Sequence, residues 1–413
     1  MAPSRVLAVL TLTLALQSQS ASPTFAQSES GAQSTFVDTS IRGSGMGRTG
    51  VAVFWGDDPN DWANPALLGY RTGLRFDWGR TQLVPDLADN VYFKSSRITA
   101  GAMGIGVVLS GKPVSGLGES RLDYGKSVAT DDLGNPIGEF SSYEEVKTIG
   151  VGVSVGRLVE SVAALTGGRL PTISRYFDVS VGHAWKSIVV SLSPAFVSLD
   201  GRPGYGETEA RDKGLLARAT PYDAIDYPGA LPGLESAFRA RIAASYGRSE
   251  INYDDSWITY LDEDQADPIV GEKREGFAIH AAFAMPLATE ERLRSGGKGW
   301  VVDLFSPLLS VGTTWEESTF DRPGAATGRP IERNGFEATL ANVFTWRRGH
   351  IDDPDGTVIG DTRGFGLGIR YARVAGFRYD HAVVPQSIYL KEDVDRNGFT
   401  AFVDPIEVWK RLR

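Results

Sequence analysis

The sequence predicts an all-β protein, a single antiparallel transmembrane β-barrel of about 14 strands. Three observations predict this class: many short stretches alternate apolar with small or polar residues, the 413-residue chain contains 48 glycines, and no stretch past residue 26 approaches the length of a transmembrane helix. Such a helix needs about 20 apolar residues. Barrel strands satisfy their backbone hydrogen bonds between neighbours and alternate in polarity, so the mean hydropathy of −0.16 is compatible with this class.

The alternation with period two is clearest in four stretches. One face carries Ile, Val, Phe, Leu and Tyr, whereas the other carries Gly, Ala and Ser with an occasional Arg; the stretches are residues 149–156, 238–247, 277–285 and 365–372. A two-layer sandwich would present a charged outer face instead. We therefore predict that small residues line a curved inner wall and that large apolar residues face lipid. Weaker stretches bring the expected total to roughly twelve to sixteen strands, an even number by the usual rule.

Polar segments rich in turn residues separate these stretches. Three of them are residues 131–136, 201–232 and 321–330. The longest, 201–232, is predicted to be a loop that holds a short helix or folds over a mouth of the barrel. Long loops at one rim and tight turns at the other are typical of bacterial barrels.

The first residues have the form of an export signal. Arg5 precedes an apolar run over residues 6–16, and Ala26 ends a small-x-small sequence typical of signal-peptidase sites. We predict a signal peptide over residues 1–26, an N-terminal tail and hatch over residues 27–70, and the barrel over residues 71–413. The expected location is the outer membrane, whose lipid is then a partner of the barrel.

Several classes of function are not expected. Cysteine is absent, so a disulfide framework and thiolate chemistry are excluded. The net charge of −9 argues against a nucleic-acid partner. The four histidines form no HExxH pair, and the GxGxxG pattern at residues 45–50 lacks the flanking strand and helix of a dinucleotide site. We expect neither an enzyme nor a cofactor.

A calcium loop is a weak candidate near the end of the chain. Asp393, Asp395 and Asn397 read as D-x-D-x-N-G, and Asp404 stands at the twelfth position. A tight hairpin turn at Asn397-Gly398 explains the same residues through the Asn-Gly preference of such turns. The sequence favours the turn.

The most informative motif covers residues 43–68. It contains a Gly-Met-Gly segment, a short apolar run, an acidic pair and an Asn-Pro-Ala turn; the residues are Gly45, Met46, Gly47, Asp57, Asp58, Asn64, Pro65 and Ala66. In order and spacing this motif resembles the FadL-type outer-membrane transporter superfamily, most closely its PorV/PorQ-like branch. The rest of the chain agrees with the superfamily in architecture. The chain departs from the family's frequent aromatic last residue, because it ends in Leu412-Arg413.

The resemblance implies a barrel of about 14 strands whose lumen is plugged by the N-terminal segment. Asn64 or the Asp57 and Asp58 carboxylates would tie this hatch to lumen arginines, with Arg239 and Arg241 as candidates. The alternative is that these two arginines are wall charges solvated by water.

Two functions follow from the resemblance. The first is passage of hydrophobic small molecules across the outer membrane, with the ligand bound among lumen aromatics. The second is a non-enzymatic docking or assembly barrel of a protein secretion system, which would have secreted proteins as partners. Lateral openings or kinked strands would favour passage, and long ordered outer loops would favour docking.

Overall fold

The structure is a computed structural model. It describes residues 31–56, 60–85, 90–111, 120–131, 133–168, 172–194, 203–226, 239–261, 266–321, 328–355, 358–371, 374–386 and 393–412. The expected signal peptide and the Asp57 and Asp58 pair lie outside the described residues.

Fourteen antiparallel strands form one closed sheet, which confirms the predicted fold class. Three of them, β3, β7 and β8, consist of two segments each. The strands are β1 Gly73–Gln82, β2 Tyr92–Ala102, β3 Ile105–Ser110 with Ser120–Thr130, β4 Pro136–Ser154, β5 Phe177–Ser193, β6 Gly204–Asp223, β7 Ala240–Ile251 with Trp257–Tyr260, β8 Ala266–Pro268 with Gly271–Phe283, β9 Leu309–Asp321, β10 Ile331–Leu340, β11 Phe344–Asp353, β12 Val358–Tyr371, β13 Ala375–Val384 and β14 Val394–Val403.

The barrel closes between its first and last strands. Eight consecutive pairs join β1 to β14, from Leu74 opposite Val403 to Thr81 opposite Arg396. The two segments of β3 both lie between β2 and β4. The second segment of β7 continues along β6 and pairs with the first segment of β8. Closure pairs both edges of the sheet formed by the described residues, which is the condition for a sheet to span lipid.

The barrel has two distinct ends. We call the end where β1 begins and β14 finishes the terminal end, and the opposite end the loop end. The helices that connect or follow strands all lie at the terminal end, whereas α1 lies in the N-terminal segment. The α-helices are α1 Ile41–Ser44, α2 Val155–Leu165, α3 Leu287–Ser295, α4 Gly299–Phe305 and α5 Pro405–Leu412. Across the described part of the chain, no helix combines the length and hydrophobicity needed to cross a membrane.

The strands bury small residues and expose large apolar ones. In β8, Phe277 and Ile279 are 51% and 44% exposed, whereas Ala278 between them is fully buried. Ile149 of β4 is 54% exposed next to buried Gly150. Outward aromatic rings also stack across strands, as Phe277 does on Trp315 with ring centroids 4.8 Å apart. The predicted alternation is thus confirmed, with the apolar face outward.

One loop prediction is wrong. Residues 204–223 of the expected loop at 201–232 form β6, a strand of 20 residues. Its sequence reads as a loop because outward residues in its first half are charged: Glu207, Glu209, Arg211 and Lys213 are exposed. Because these outward residues are charged, the sequence does not look like a barrel strand, although the residues between them face the barrel interior. The predicted turns at 131–136 and 321–330 do separate strands.

Candidate functional site

The N-terminal segment, which the structure describes at residues 31–56 and 60–71, runs through the barrel from the loop end to the terminal end. At the loop end the Gly31 amide donates to the Pro268 carbonyl at 3.1 Å. At the terminal end Arg71 lies against Gly101 near the end of β2. Between these points Val51, Leu67 and most other residues are buried. The wall therefore encloses the segment along most of its length.

Inward-facing glycines let the segment lie directly on the wall. At Gly152 of β4, an added Cβ would lie 2.6 Å from the Pro65 carbonyl oxygen, and at Gly335 of β10, 2.5 Å from that of Met46. No side chain fits at such distances. Thirteen of the fourteen strands contribute a glycine that contacts the segment: Gly79, Gly101, Gly106, Gly152, Gly182, Gly214, Gly247, Gly276, Gly312, Gly335, Gly349, Gly364 and Gly398. We call this set the glycine belt.

A buried ion-pair network fixes the middle of the segment. Arg42 of α1 donates from Nε and Nη2 to the two Glu337 carboxylate oxygens of β10, each at 2.8 Å, and from Nη1 to the Trp55 carbonyl at 2.7 Å. Arg347 of β11 donates to the same carboxylate at 2.8 Å and lies 2.7 Å from Asp380 of β13. Arg42 and Arg347 are 1% and 0% exposed, so their charges depend on these partners.

A second network holds the next stretch of the segment. The Gly50 and Val51 amides donate to one Glu316 oxygen of β9 at 2.8 and 3.0 Å. Arg274 of β8 pairs with the other Glu316 oxygen and donates to the Arg48 carbonyl at 2.7 Å. The Glu316 carboxylate therefore binds Arg274 of the wall and the Gly50 and Val51 amides of the segment.

The predicted hatch residues within the described range lie in this packed region. Gly45 contacts Gly364 of β12, Met46 is buried, and the Gly47 amide donates to Thr362 Oγ1 at 2.8 Å. Gly47 has a φ of +73°, a conformation that glycine adopts without strain.

The Asn-Pro-Ala turn anchors the last part of the segment. Asn64 Oδ1 accepts from the Ala66 amide at 3.0 Å, and Asn64 Nδ2 donates to the Val51 and Leu215 carbonyls at 2.7 and 3.0 Å. Pro65 stands at the start of a 3-10 helix, Pro65–Tyr70, whose N-cap is Asn64. The Ala66 carbonyl accepts from Ser180 of β5 at 2.6 Å.

The predicted pairing of Arg239 and Arg241 with Asn64 does not occur. Both arginines lie at the terminal end: Arg239 pairs with Glu290 of α3, and Arg241 pairs with Asp226 at 2.9 Å. The Asn64 side chain is instead occupied by backbone groups, because it caps a helix. Pairing with Asp57 or Asp58 lies outside the described residues.

Neither reading of the Asp-rich sequence near the end of the chain matches its backbone. Asp395 and Asn397 lie inside β14, an uninterrupted strand paired on both sides, and Asp393 and Asp404 flank it. The favoured turn at Asn397-Gly398 is wrong, because Gly398 is a member of the glycine belt. An extended strand also keeps the four residues too far apart to surround one ion. Within the described residues, no group of three His, Asp or Glu side chains is placed to hold a metal ion.

Apolar clusters lie inside the barrel toward the loop end. Ala32 of the segment packs with Ile188, Ile258 and Ile269 of the wall. The Phe36 ring meets the Phe320 ring edge-on, with centroids 5.6 Å apart, beside a second cluster of Ile331, Ile351 and Val384. The start of the segment thus covers the apolar surface at this mouth.

A large cavity of about 1010 Å³ occupies the terminal end. Phe54, Trp55 and Tyr70 of the segment form part of its lining, and residues of α2, α3, α4 and α5 complete it. Eight arginines and five carboxylates line it, so the balance is positive. A hydrogen bond to Glu290 raises the pKa of the Arg294 guanidinium above its ordinary value, which keeps this group charged.

Sequence reasoning missed the charged residues that hold the segment. Glu337 and Arg347 lie on the inward-facing positions of β10 and β11, alternating with outward residues such as Trp346. The signal available for finding them was a charged residue on the face of a predicted strand that otherwise carries small residues. The partner Arg42 lies 295 residues away from Glu337, so no local pattern pairs them.

The fold and the site define a closed 14-stranded antiparallel barrel with its own N-terminal segment inside. No protein-family model and no curated protein matches the chain. Solved structures to which the chain is similar include the Ralstonia pickettii toluene transporter TbuX, at 11% identity and a TM-score of 0.39 over 88% of this chain and 97% of that one. A Pseudomonas aeruginosa FadL homologue has 10% identity and a TM-score of 0.35 over 89% and 98%. The Pseudomonas putida toluene transporter TodX has 12% identity and a TM-score of 0.35 over 87% and 96%.

Proposed function

We propose that the protein is an outer-membrane barrel through which hydrophobic small molecules pass, and that the N-terminal segment controls this passage. The outward band of large apolar residues supports the location. Residues such as Ile242, Phe277 and Leu367 are 40% to 51% exposed in the isolated chain, and a continuous apolar wall of this kind requires lipid to cover it. The predicted signal peptide is part of this proposal, and N-terminal sequencing that finds a chain starting at Gln27 tests it.

The single observation that supports the passage proposal is that the lumen is divided into three regions along the barrel. Apolar clusters lie at the loop-end mouth, a large cavity lies at the terminal end, and residues 31–56 and 60–71 lie between them. The apolar residues nearest the loop-end mouth are Ile258, Ile269 and Phe320, and a hydrophobic molecule that arrives there binds against them once they are uncovered. Since Ala32 and Phe36 of the segment cover these clusters, entry requires the segment to move.

The absence of cysteine from the chain permits a direct test of that movement. Ile41 Cγ1 lies 3.5 Å from the position of a Cβ at Gly79, so we choose these two neighbouring sites for a pair of cysteines. Cells that produce the I41C/G79C variant are assayed for uptake of a labelled long-chain hydrocarbon tracer, before and after reduction. We expect the oxidised variant to lose most of the uptake and the reduced variant to regain it, with both single variants as controls.

Two results would contradict the proposal. Equal uptake by cells with and without the protein would remove passage altogether. Equal uptake by the fully cross-linked and the reduced variant would show that molecules pass without movement of the segment.

A docking barrel of a secretion system, as in the PorV/PorQ-like branch, is the second candidate. The observation that favours it is the height of the wall on one side: β4 and β6 have 19 and 20 residues, whereas β1 and β10 have 10. The extra length carries exposed charges, including Glu207 and Glu209. If docking is the function, loss of the protein depletes secreted proteins from the cell surface while tracer uptake stays unchanged.

A further inference from the structure

The helix α2 has a polar and an apolar side, and the apolar side points away from the protein. Glu160 and Ser161, on the polar side, line the cavity at the terminal end. Val155, Val159 and Val162 follow one another at a spacing of one helical turn on the opposite side, and each is about half exposed. A helix of a water-soluble protein normally turns its apolar side toward the core. The orientation of α2 is the reverse.

Hydrogen bonds to carboxylates hold α2 in this orientation. At the start of the helix, the Asp178 carboxylate of β5 accepts from Ser154 Oγ at 2.5 Å and from the Gly156 amide at 2.9 Å. In its middle, Glu160 accepts from the amide and the hydroxyl of Ser174 at 2.8 and 2.6 Å. The helix cannot turn its apolar side toward the cavity without breaking these bonds. The exposure of that side is therefore a property of the fold.

The apolar side of α2 continues the outward apolar band of the barrel. Val153, the last outward residue of β4, lies two positions before Val155 and directly opposite Ile105 of β3 and Val181 of β5. Ile105, Val181 and Phe177 at the start of β5 are exposed large apolar residues. A band of this kind requires lipid to cover it. The helix therefore begins at the edge of the lipid-covered surface.

The helix α5 repeats this arrangement after the last strand. Arg411 of α5 lines the cavity and pairs with Asp303 of α4 at 3.5 Å. Ile406 and Trp409 lie on the other side of the helix, and each is about half exposed. Tryptophan is enriched where a membrane meets water. Two helices at separate places on the rim thus direct polar residues to the cavity and apolar residues outward.

We propose that α2 and α5 lie on the membrane surface at the terminal end, with their apolar sides among the lipid acyl chains just below the headgroups. Amphipathic helices bind at this boundary through the burial of apolar area. The occupant of both exposed sides is lipid, which then also holds in place two of the helices that line the cavity. The proposal rests on the membrane location of the barrel and is independent of passage.

Nitroxide labels on single cysteines test the proposal, because the chain contains no cysteine of its own. The purified full chain is folded into vesicles of phosphatidylethanolamine and phosphatidylglycerol. Power saturation then compares collisions of each label with oxygen, which concentrates in lipid, and with a nickel chelate, which stays in water. We expect oxygen to dominate at V159C, at I406C and at I149C, the reference in the outward band. Nickel should dominate at N135C, which lies in the exposed turn before β4.

The reference positions separate the possible failures. Nickel dominance at V159C or I406C, with oxygen dominance at I149C, would overturn the proposal and leave the membrane location of the barrel intact. Nickel dominance at I149C as well would overturn both. Low accessibility to both reagents at the helix positions would mean that a second copy of the chain covers them, which also overturns the proposal.

A charge on the apolar side of α2 should remove the helix from lipid. The label is placed at L165C, because Leu165 is the last residue of α2 and is 74% exposed. We expect oxygen to dominate at this label and nickel to dominate once V162D is added. S161D is the matched control, since the neighbouring Ser161 faces the cavity, and it should keep oxygen dominance. The same change in both variants, or no change in V162D, would contradict the proposal.

Discussion

Arg42 and Glu337 join the N-terminal segment to the barrel wall through two hydrogen bonds of 2.8 Å between almost completely buried side chains. Glu337 also accepts from Arg347 and, at 3.1 Å, from the Trp55 indole. One carboxylate therefore orients two arginines and an aromatic ring. Its removal takes from the buried Arg42 guanidinium the carboxylate it pairs with and leaves Arg347 paired with Asp380, so the charge of Arg42 loses its compensation.

We therefore expect Glu337→Gln to destabilise the barrel. Loss of one partner from a buried ion pair costs about 3–5 kcal/mol. The free energy of unfolding in urea, measured in detergent micelles, should fall by an amount of this order. Glu332→Gln is the control, because Glu332 lies on the same strand and faces outward. Equal stability of the two variants would mean that the network contributes nothing to holding the segment.

The glycine belt predicts a steric effect at Gly152. An added methyl group would lie 2.7 Å from Leu68 Cβ in addition to its contact with Pro65, so Gly152→Ala displaces the segment or the strand. Overpacking of this kind costs about 1–3 kcal/mol. We expect a lower thermal midpoint and easier proteolysis of the segment. Gly360→Ala, whose nearest neighbour would be Pro385 at 3.2 Å, should leave both properties close to those of the wild type.

The outward apolar band predicts a depth-dependent effect of charge. Ile279 lies in the apolar part of β8 and is 44% exposed, whereas Glu275 lies on the same face nearer the loop end. Ile279→Arg should reduce the free energy of folding into lipid bilayers by about 2–4 kcal/mol, and Glu275→Arg by about 1 kcal/mol or less. Folding yields in vesicles, read from the difference in gel migration before and after boiling, check this. Similar losses at both positions would place the lipid boundary elsewhere.

The sequence predicted the parts of the fold that depend on local alternation. Small residues opposite Ile149 or Phe277 indicated an inner and an outer face, and closure then follows because an open sheet edge is not tolerated in lipid. The prediction failed at β6 and at Asn397-Gly398, where charged or turn-forming residues lie inside strands. In β6 the charges face outward, and in β14 Gly398 admits the Ile41 side chain of the segment.

The sequence predicted the turn in the N-terminal segment but not its partners in the barrel wall. An anchored turn could be predicted at Asn64, Pro65 and Ala66, because their local chemistry specifies a helix cap. Their contacts with Leu215 and Ser180 depend on strands more than 100 residues away, and so does the pairing of Arg42 with Glu337. A single sequence carries no local signal for such pairs. The arginine-lined cavity was missed for the same reason, since four helices and several strands build it.

Ion conductance in planar lipid bilayers tests most directly whether the N-terminal segment closes the barrel. The wild-type protein should conduct weakly if the N-terminal segment, whose residues 31–56 and 60–71 lie inside the barrel, closes the lumen as we propose. Deletion of residues 43–68 should produce large, stable current steps from a barrel that still changes its gel migration on boiling. Large steps from the wild type, or no increase from the folded deletion variant, would contradict the account.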